Sequence, residues 1–471
     1  MSKFKKYEKY KNANVNWIYS IPSHWEILPN RAIFSERITK NCANEQLLSV
    51  TIKKGVIKQT QLLEDSSKKD SSNEDKSKYK LVRINDIAYN KMRMWQGAVG
   101  FSEYQGIVSP AYIILKPHKN INSKYYHYLF RSPLYIQYSY NYSYGICDDQ
   151  LSLRYKDFST MYSVIPPIEE QKKIVQFIEY KEKQINKLIK KQKLLIELLE
   201  EKKKTLITEV VTKGLDKNVP MKESGVDWIG KIPQNWKVRR TKYVATSFEK
   251  GSGITKDDVI LDGDIQCIRY GEIYSKYDIK ADKCFSKTNI DKISSPRHIF
   301  NGDILFAGTG ELVEEIGKNI VYIGHESCLA GGDIIIMKHK QNPMFLNYAL
   351  NSNYAQSQKS FGKVKLKVVH ISANNIGNIR IVIPSLEEQQ EIVEYLDNKC
   401  FCINKIILGK ENIITKLEEY RKNLISNVIT GQIDVRDYEI PATDDNIDLD
   451  EIENLSDDDT EIISEVEYAN C

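Results

Sequence analysis

The sequence predicts a mixed α/β protein built as an internal repeat: two globules, each followed by a long helix, with the two helices packing as a coiled coil. Three observations carry this. Two tryptophan–proline blocks recur at a shift of 211 residues, two helix-forming blocks recur at a shift of 218, and the segments between them are rich in strand-like runs.

The first block reads NWIYSIPSHWEI from Asn16 and DWIGKIPQNWKV from Asp227. Trp17, Ile18, Ile21, Pro22 and Trp25 thereby fall on Trp228, Ile229, Ile232, Pro233 and Trp236. Residues of about 26–160 and 237–380 then carry runs such as AYIIL and MYSVIP, or ILFAG, NIVYIG, DIIIM and IRIVIP, which read as strands.

The second block opens IPPIEEQ at Ile165 and IPSLEEQ at Ile383. Pro166 and Pro384 suit a first helical turn, and the paired glutamates favour the positive end of the helix dipole. Steps of four and three trace an apolar stripe through Ile174, Ile178, Ile185, Leu188, Leu195, Leu199 and Leu206. Its second copy runs through Ile392, Leu396, Ile403, Ile406, Ile413, Leu417 and Leu424. The stripe is interrupted at Lys181 with Lys399, Gln192 with Lys410, and Lys202 with Tyr420. A period of 3.5 over ~45 residues, or ~68 Å of helix, favours a coiled coil over an ordinary core helix.

The expected division is a globule over 1–164, a central helix over 165–214, a second globule over 215–382, a distal helix over 383–434 and an acidic, disordered tail over 435–471. Residues 437–471 hold fourteen Asp and Glu and no Lys or Arg. The net charge of +5 therefore conceals 68 basic against 49 acidic residues, or +19, over 1–436. That excess suits a polyanionic partner, although basic surfaces also occur without one. The basic amino terminus lacks the apolar core of a signal peptide, and no apolar run approaches ~20 residues, so a cytoplasmic, membrane-free protein is expected. The eight cysteines are scattered without a C-x-x-C pair, and neither a metal site nor a disulfide framework is expected.

No catalytic constellation stands out. There is no phosphate-binding G-x-x-x-x-G-K-[ST], no H-E-x-x-H and no G-x-S-x-G. Ser109-Pro110-Ala111-Tyr112 is the nearest approach to an amino-methyltransferase tetrad, but it lacks the second proline and has no glycine-rich cofactor loop nearby.

Candidate DNA contacts are of another kind. In YNKMRMWQGAVG, Lys91, Arg93 and Gln96 surround Trp95, and Arg and Gln are the side chains that bond guanine and adenine edges in pairs. Arg154 and Lys156 are further cations of the first half, and Arg269, Arg297, His298 and Thr309 are weaker analogues in the second. Lys363, Lys365 and Lys367 alternate with Val364, Leu366 and Val368, placing three cations on one face of a strand. That row would position phosphates, and it equally suits a lysine-protected sheet edge. Eight tyrosines between 125 and 144 could stack on bases, but their helical spacing favours a core.

Together, W-I-x-x-I-P-x-x-W before each globule, WQGAVG followed by GIVSPAYIIL, and [IV]-P-x-[IL]-E-E-Q opening each helix resemble the specificity subunit of type I restriction-modification systems. The resemblance covers nearly all the chain to about residue 434. It implies two target recognition domains that read the halves of a bipartite double-stranded DNA sequence. It also implies an antiparallel coiled coil that sets their separation, with Ile185, Leu188, Leu195, Leu199, Ile403, Ile406, Ile413 and Leu417 among its apolar contacts. A subunit of this kind has no activity of its own. It serves two modification subunits that use S-adenosylmethionine and restriction subunits that use ATP and Mg2+. A related system whose methyltransferase and nuclease are fused is the alternative. The acidic tail departs from the family, and its charge suits either a solubilising segment or a mimic of DNA.

Overall fold

The structure is a computed structural model, and it describes residues 4–64, 75–146, 150–362 and 369–441. The chain forms two compact units. The first takes residues up to Gln192 and again from Glu411, and the second takes Lys193–Lys410.

In the first unit, β1 (Phe34–Glu36), β2 (Ile87–Asn90), β3 (Val99–Phe101) and β4 (Tyr112–Pro117) form a four-stranded antiparallel sheet in the order β1-β4-β2-β3. Helices Ser123–Phe130 and Pro133–Tyr142 follow it. Tyr125, Tyr126 and Tyr135 are fully buried, and Tyr138 nearly so, which places them in the core as their spacing suggests.

The second unit repeats that layout. There β5 (Ala245–Lys250), β6 (Lys280–Ala281), β7 (Ile304–Ala307), β8 (Asn319–Tyr322) and β9 (Ile334–His339) lie in the order β5-β9-β7-β8-β6. Helices Pro343–Asn351 and Asn353–Ser360 follow. The correspondence reaches the helix caps. Asn122 and Asn342 cap the first helix of each pair, and Ser132 and Ser352 precede the second. The globules, whose sequences read as unlike, therefore share a four-strand order, β1-β4-β2-β3 matching β5-β9-β7-β8, to which the second unit adds β6 alongside β8.

The long helices span Ile168–Lys213 and Leu386–Ile429. The prolines at 166 and 384 stand just before them rather than in their first turn. Ser385 caps the distal helix, its hydroxyl 3.3 Å from the Glu388 N–H, while the Glu388 carboxylate accepts the Ser385 N–H at 3.1 Å. Within the first unit, Ile174 and Ile178 share a core with Leu424 and Val428, and Ile185 and Leu188 cluster with Leu417 and Ile413. Arg421 donates to Asn186 at 2.7 Å. Rising numbers on one helix meet falling numbers on the other, so the two segments pack antiparallel. In the second unit, Lys203 donates to Asn404 at 2.9 Å, and Ile207 and Val211 join Ile392, Leu396 and Cys400 in one core, again antiparallel. Ile403 is buried, whereas Leu195, Leu199 and Ile406 are half-buried. The interruption at Lys181 is accommodated by its ammonium lying 5.6 Å above the Tyr438 ring.

Each tryptophan–proline block docks on the start of a long helix. The Trp25 indole N–H donates to Glu170 at 2.9 Å, and that of Trp236 donates to Glu388 at 2.9 Å. Glu170 is buried and also accepts the Tyr7 hydroxyl at 2.5 Å and meets His24 at 2.8 Å. The next residue ties the helix to the globule. Gln171 accepts the Asn122 N–H at 2.9 Å, and Gln389 accepts the Asn342 N–H at 3.0 Å.

The far ends of the helices finish the docking. Gly431 has φ +73° and lies so close to Pro22 and Trp25 that a Cβ would sit 2.5 Å from the proline ring. Gly214, at φ +78°, faces Trp236 and Pro233 less tightly, a Cβ there lying 3.2 Å from the indole and 4.0 Å from the proline. Only glycine holds that backbone without strain. The units differ at the first tryptophan of each block. Trp17 is buried against Tyr135 and Tyr138, while Trp228 is exposed.

Glu170→Ala strands two buried donors and is expected to cost about 2–4 kcal/mol, against about 1–2 kcal/mol for Glu388→Ala, whose carboxylate is only half-buried. Urea unfolding followed by tryptophan fluorescence measures both, and equal or negligible losses would discount the carboxylate as an anchor.

Candidate nucleic-acid interface

The candidate contacts of the first unit lie at the turn between β2 and β3. Met94 is fully buried and pins the turn, a short 3-10 segment Met94–Gln96 follows, and Gly97 reverses the chain at φ +85°. Arg93 and Gln96 are left exposed and Lys91 half-exposed. The Trp95 indole N–H donates to the Met92 carbonyl at 3.1 Å, and its ring meets Tyr140 edge-on at 5.8 Å. The Lys91 carbonyl accepts the Leu153 N–H at 2.8 Å, which brings exposed Arg154 beside the turn. Lys91, Arg93, Gln96 and Arg154 thus occupy one edge of the unit.

That turn is held from beneath by a half-buried cation. Arg131 donates to the carbonyls of Val99 at 3.0 Å, Gly97 at 3.4 Å, Thr51 at 3.4 Å and Lys53 at 2.7 Å. Its neighbour His127 is held neutral. Burial, together with the charges of Arg131 and Lys124, pushes its pKa down to about 3, and Nδ1 accepts the Phe101 N–H at 3.3 Å. Arg131 has its donors taken up by main-chain carbonyls rather than offered to a ligand.

The second unit distributes its candidates differently. Thr309 lies in the segment between β7 and β8, but it is buried, with its hydroxyl 3.1 Å from His370 Nδ1. Arg269 and Arg297 flank a separate sheet. Arg269 follows strand Ile265–Ile268, and Arg297 precedes strand His298–Ile299. Arg269 is half-buried, and its N–H is capped by Glu272 at 2.8 Å, with the guanidinium 3.7 Å from the same carboxylate. His298 Nδ1 meets Ser327 at 3.0 Å. The structure does not gather these residues into one loop with Thr309. Lys363, Lys365 and Lys367 lie outside the described residues, as do residues 442–471 of the acidic tail.

Two features escaped the sequence reading. One is the glycine pair Gly214 and Gly431, which closes each docking surface. The other is Lys359, whose ammonium is buried, donates to Asn319 at 2.7 Å and lies 5.6 Å above the Phe306 ring. Burial lowers its pKa to about 7. Among the described residues, no group of three or more His, Cys, Asp or Glu could hold a metal ion. No helix among them is long and apolar enough to cross a membrane.

Residues 233–419 match the family model of the type I restriction modification DNA specificity domain. Two relatives from Methanocaldococcus jannaschii are similar. One is the type I restriction enzyme MjaVIII specificity subunit, 24% identical over 294 residues, which cover 60% of this chain and 64% of that protein. The chain thus spans slightly less than two thirds of that relative's length. The other is the putative type I restriction enzyme MjaX specificity subunit, 24% identical over 387 residues, or 78% of this chain and 82% of that one. A chain solved in work on complex assembly and conformational transition of the type I R-M system shares the fold, with a TM-score of 0.65 at 15% identity, covering 88% of this chain and all of that one. The HsdS subunit from Thermoanaerobacter tengcongensis does so at 0.50 and 16%, covering 88% and 99%. The resemblance read from the tryptophan–proline and Glu-Glu-Gln blocks is borne out.

Lys359 makes stability depend on pH. Its folded pKa is depressed below 10.5, so the unfolded chain binds the extra proton between about pH 7 and 10. Stability is then expected to rise with pH across that window, by up to about 1.4 kcal/mol per unit, relative to Lys359→Met. Urea midpoints of the two proteins at pH 6 and pH 9 test this, and parallel profiles would contradict the depressed pKa.

Proposed function

From the DNA specificity domain at residues 233–419, we propose that this chain is the specificity subunit of a type I restriction-modification complex, reading a bipartite double-stranded target with one unit per half-site. The observation that carries the reading is the repeated docking of Trp25 on Glu170 and Trp236 on Glu388 around globules of shared strand order whose exposed turns differ. A repeated frame suits two identical partners, and unlike turns suit two unlike half-sites. The chain itself carries out no reaction. Two modification subunits supply S-adenosylmethionine chemistry, and restriction subunits supply ATP- and Mg2+-dependent translocation and cleavage.

Binding is bivalent. Cations position phosphates, a few side chains read bases, and linkage of the units makes the second engagement intramolecular. In the first unit Arg93 and Gln96 are the base readers, with Lys91 and Arg154 on the backbone.

Mapping methylated adenines in cells with and without this gene tests the assignment, which predicts a two-part motif that disappears with the gene. Arg93→Ala or Gln96→Ala is expected to relax the first half of the motif and leave the second intact, by about 1–3 kcal/mol of discrimination per contact. Equal loss at both halves would contradict this. Deleting one turn, four residues, from both 187–205 and 405–423 removes ~6 Å of helix and is expected to shorten the preferred spacer by about two base pairs. An unchanged spacer would refute the helices as its determinant.

A further inference from the structure

The turn that carries Arg93 and Gln96 has a structural counterpart in the second unit that its sequence conceals. Main-chain hydrogen bonds fix the correspondence at both ends. The Lys91 N–H donates to Ala111 at 3.2 Å, and its carbonyl accepts from Leu153 at 2.8 Å. The Gly308 N–H donates to Asp333 at 2.7 Å, and its carbonyl accepts from Ile371 at 2.9 Å. After each loop a glycine of positive φ, Gly97 or Gly317, leads into the next strand. The carbonyl that opens that strand is held from the same position on the sheet-covering helices: Val99 by Arg131 and Asn319 by Asn351, each at 3.0 Å. A 3-10 turn stands within both loops, Met94–Gln96 in one and Val313–Glu315 in the other.

The second loop is longer. Ile87 pairs with Phe101 across the first, and Ile304 pairs with Val321 across the second. Its exposed chemistry is also reversed. Where the first loop exposes Arg93 and Gln96, the second exposes Glu311 and Glu315, the latter closing its 3-10 turn as Gln96 closes the other. Neither carboxylate has an ion-pair partner among the described residues. Buried Thr309 and buried Lys359 serve this loop from within, through His370 and Asn319.

We propose that loop 308–317 is the base-reading loop of the second unit, and that Glu311 and Glu315 accept hydrogen bonds from the exocyclic amino groups of cytosines in the major groove. This rests on the half-site reading above. A carboxylate can only accept, so guanine and thymine, which present acceptors there, are excluded. Adenine offers its N6 amino group but sets the N7 acceptor beside it to repel a carboxylate, whereas cytosine presents the N4 amino group alone and is the better partner. Repulsion by the phosphates makes such a residue unfavourable on any sequence that lacks that donor. It therefore acts chiefly against wrong sites.

The test uses the chain assembled with its modification subunits and a DNA library randomised at both half-sites. Wild type, Glu311→Gln, Glu315→Gln and Arg93→Ala are compared, with circular dichroism and the unperturbed half-site reporting correct folding. Each glutamine variant is expected to lose cytosine preference at one position of the second half-site by roughly five- to 150-fold. It is also expected to gain tolerance for adenine, whose edge glutamine matches, and to bind nonspecific DNA more tightly, while the first half-site stays unchanged. A role confined to holding the loop would not produce the gain in nonspecific affinity. A wild-type motif that both glutamine variants preserve, with Arg93→Ala altering only the first half, overturns this inference and leaves the half-site reading standing. A wild type that selects no two-part motif overturns both.

Discussion

The rest of each unit depends on one contact, an indole N–H donated to a carboxylate in the first turn of a long helix, buried in the first unit and half-buried in the second. Trp25 with Glu170, and Trp236 with Glu388, join a segment that precedes the globule to a helix that follows it. The carboxylate is favoured there by the unsatisfied N–H groups of the helix start, and the tryptophan adds a large apolar surface that closes the core. The adjacent Gln171 or Gln389 then accepts an N–H at the cap of the first sheet-covering helix. Consecutive residues of one helical turn thus fix the entry segment, the globule and the helix with respect to one another. Moving the helix by one residue would break all three.

With the frame fixed this way, the globule is free to change its surface. The two sheets share strand order and the two helix pairs share their caps, yet the interior chemistry differs. A guanidinium, Arg131, donates to the carbonyl at the strand entry in one unit, and Asn351 does so in the other, where the buried ammonium of Lys359 bonds the Asn319 side chain instead. Each solution satisfies the same main-chain carbonyl, so the strand keeps its position while its neighbours diverge. Trp17 and Trp228 show the same freedom, one covered by tyrosines and the other open.

What the sequence disclosed follows from what must stay constant. Trp25 with Trp236, and the second glutamate and the glutamine of each Glu-Glu-Gln, recur at a fixed shift because they make the same contacts in both units, and the apolar stripe recurs because the helices pack along it. The glycines at 214 and 431 were harder to see. Both follow a Val-Val-Thr or Val-Ile-Thr run, but one intervening lysine in the first copy breaks the constant shift. The turn of the second unit was concealed for two reasons. It is longer than its counterpart, and a search for cations passes over a loop that exposes glutamates. Thr309 was found, but it lies at the start of that loop with its side chain buried against His370. Arg269, chosen for its charge, is held by Glu272 on another sheet.

The division of the chain between the units also bears on synthesis. The second unit is contiguous over Lys193–Lys410, whereas the first requires residues beyond Glu411, including the Gly431 turn on Pro22 and Trp25 and the Asp434 N–H bonded to the Lys5 carbonyl. Nascent domains ordinarily complete in order from the amino terminus. Here the ribosome releases every residue of the later unit before the earlier one can close. The surface around Trp25 stays open while some 240 residues pass, an interval of about 12–50 s at 5–20 residues per second. The protein is therefore finished at the end where it began.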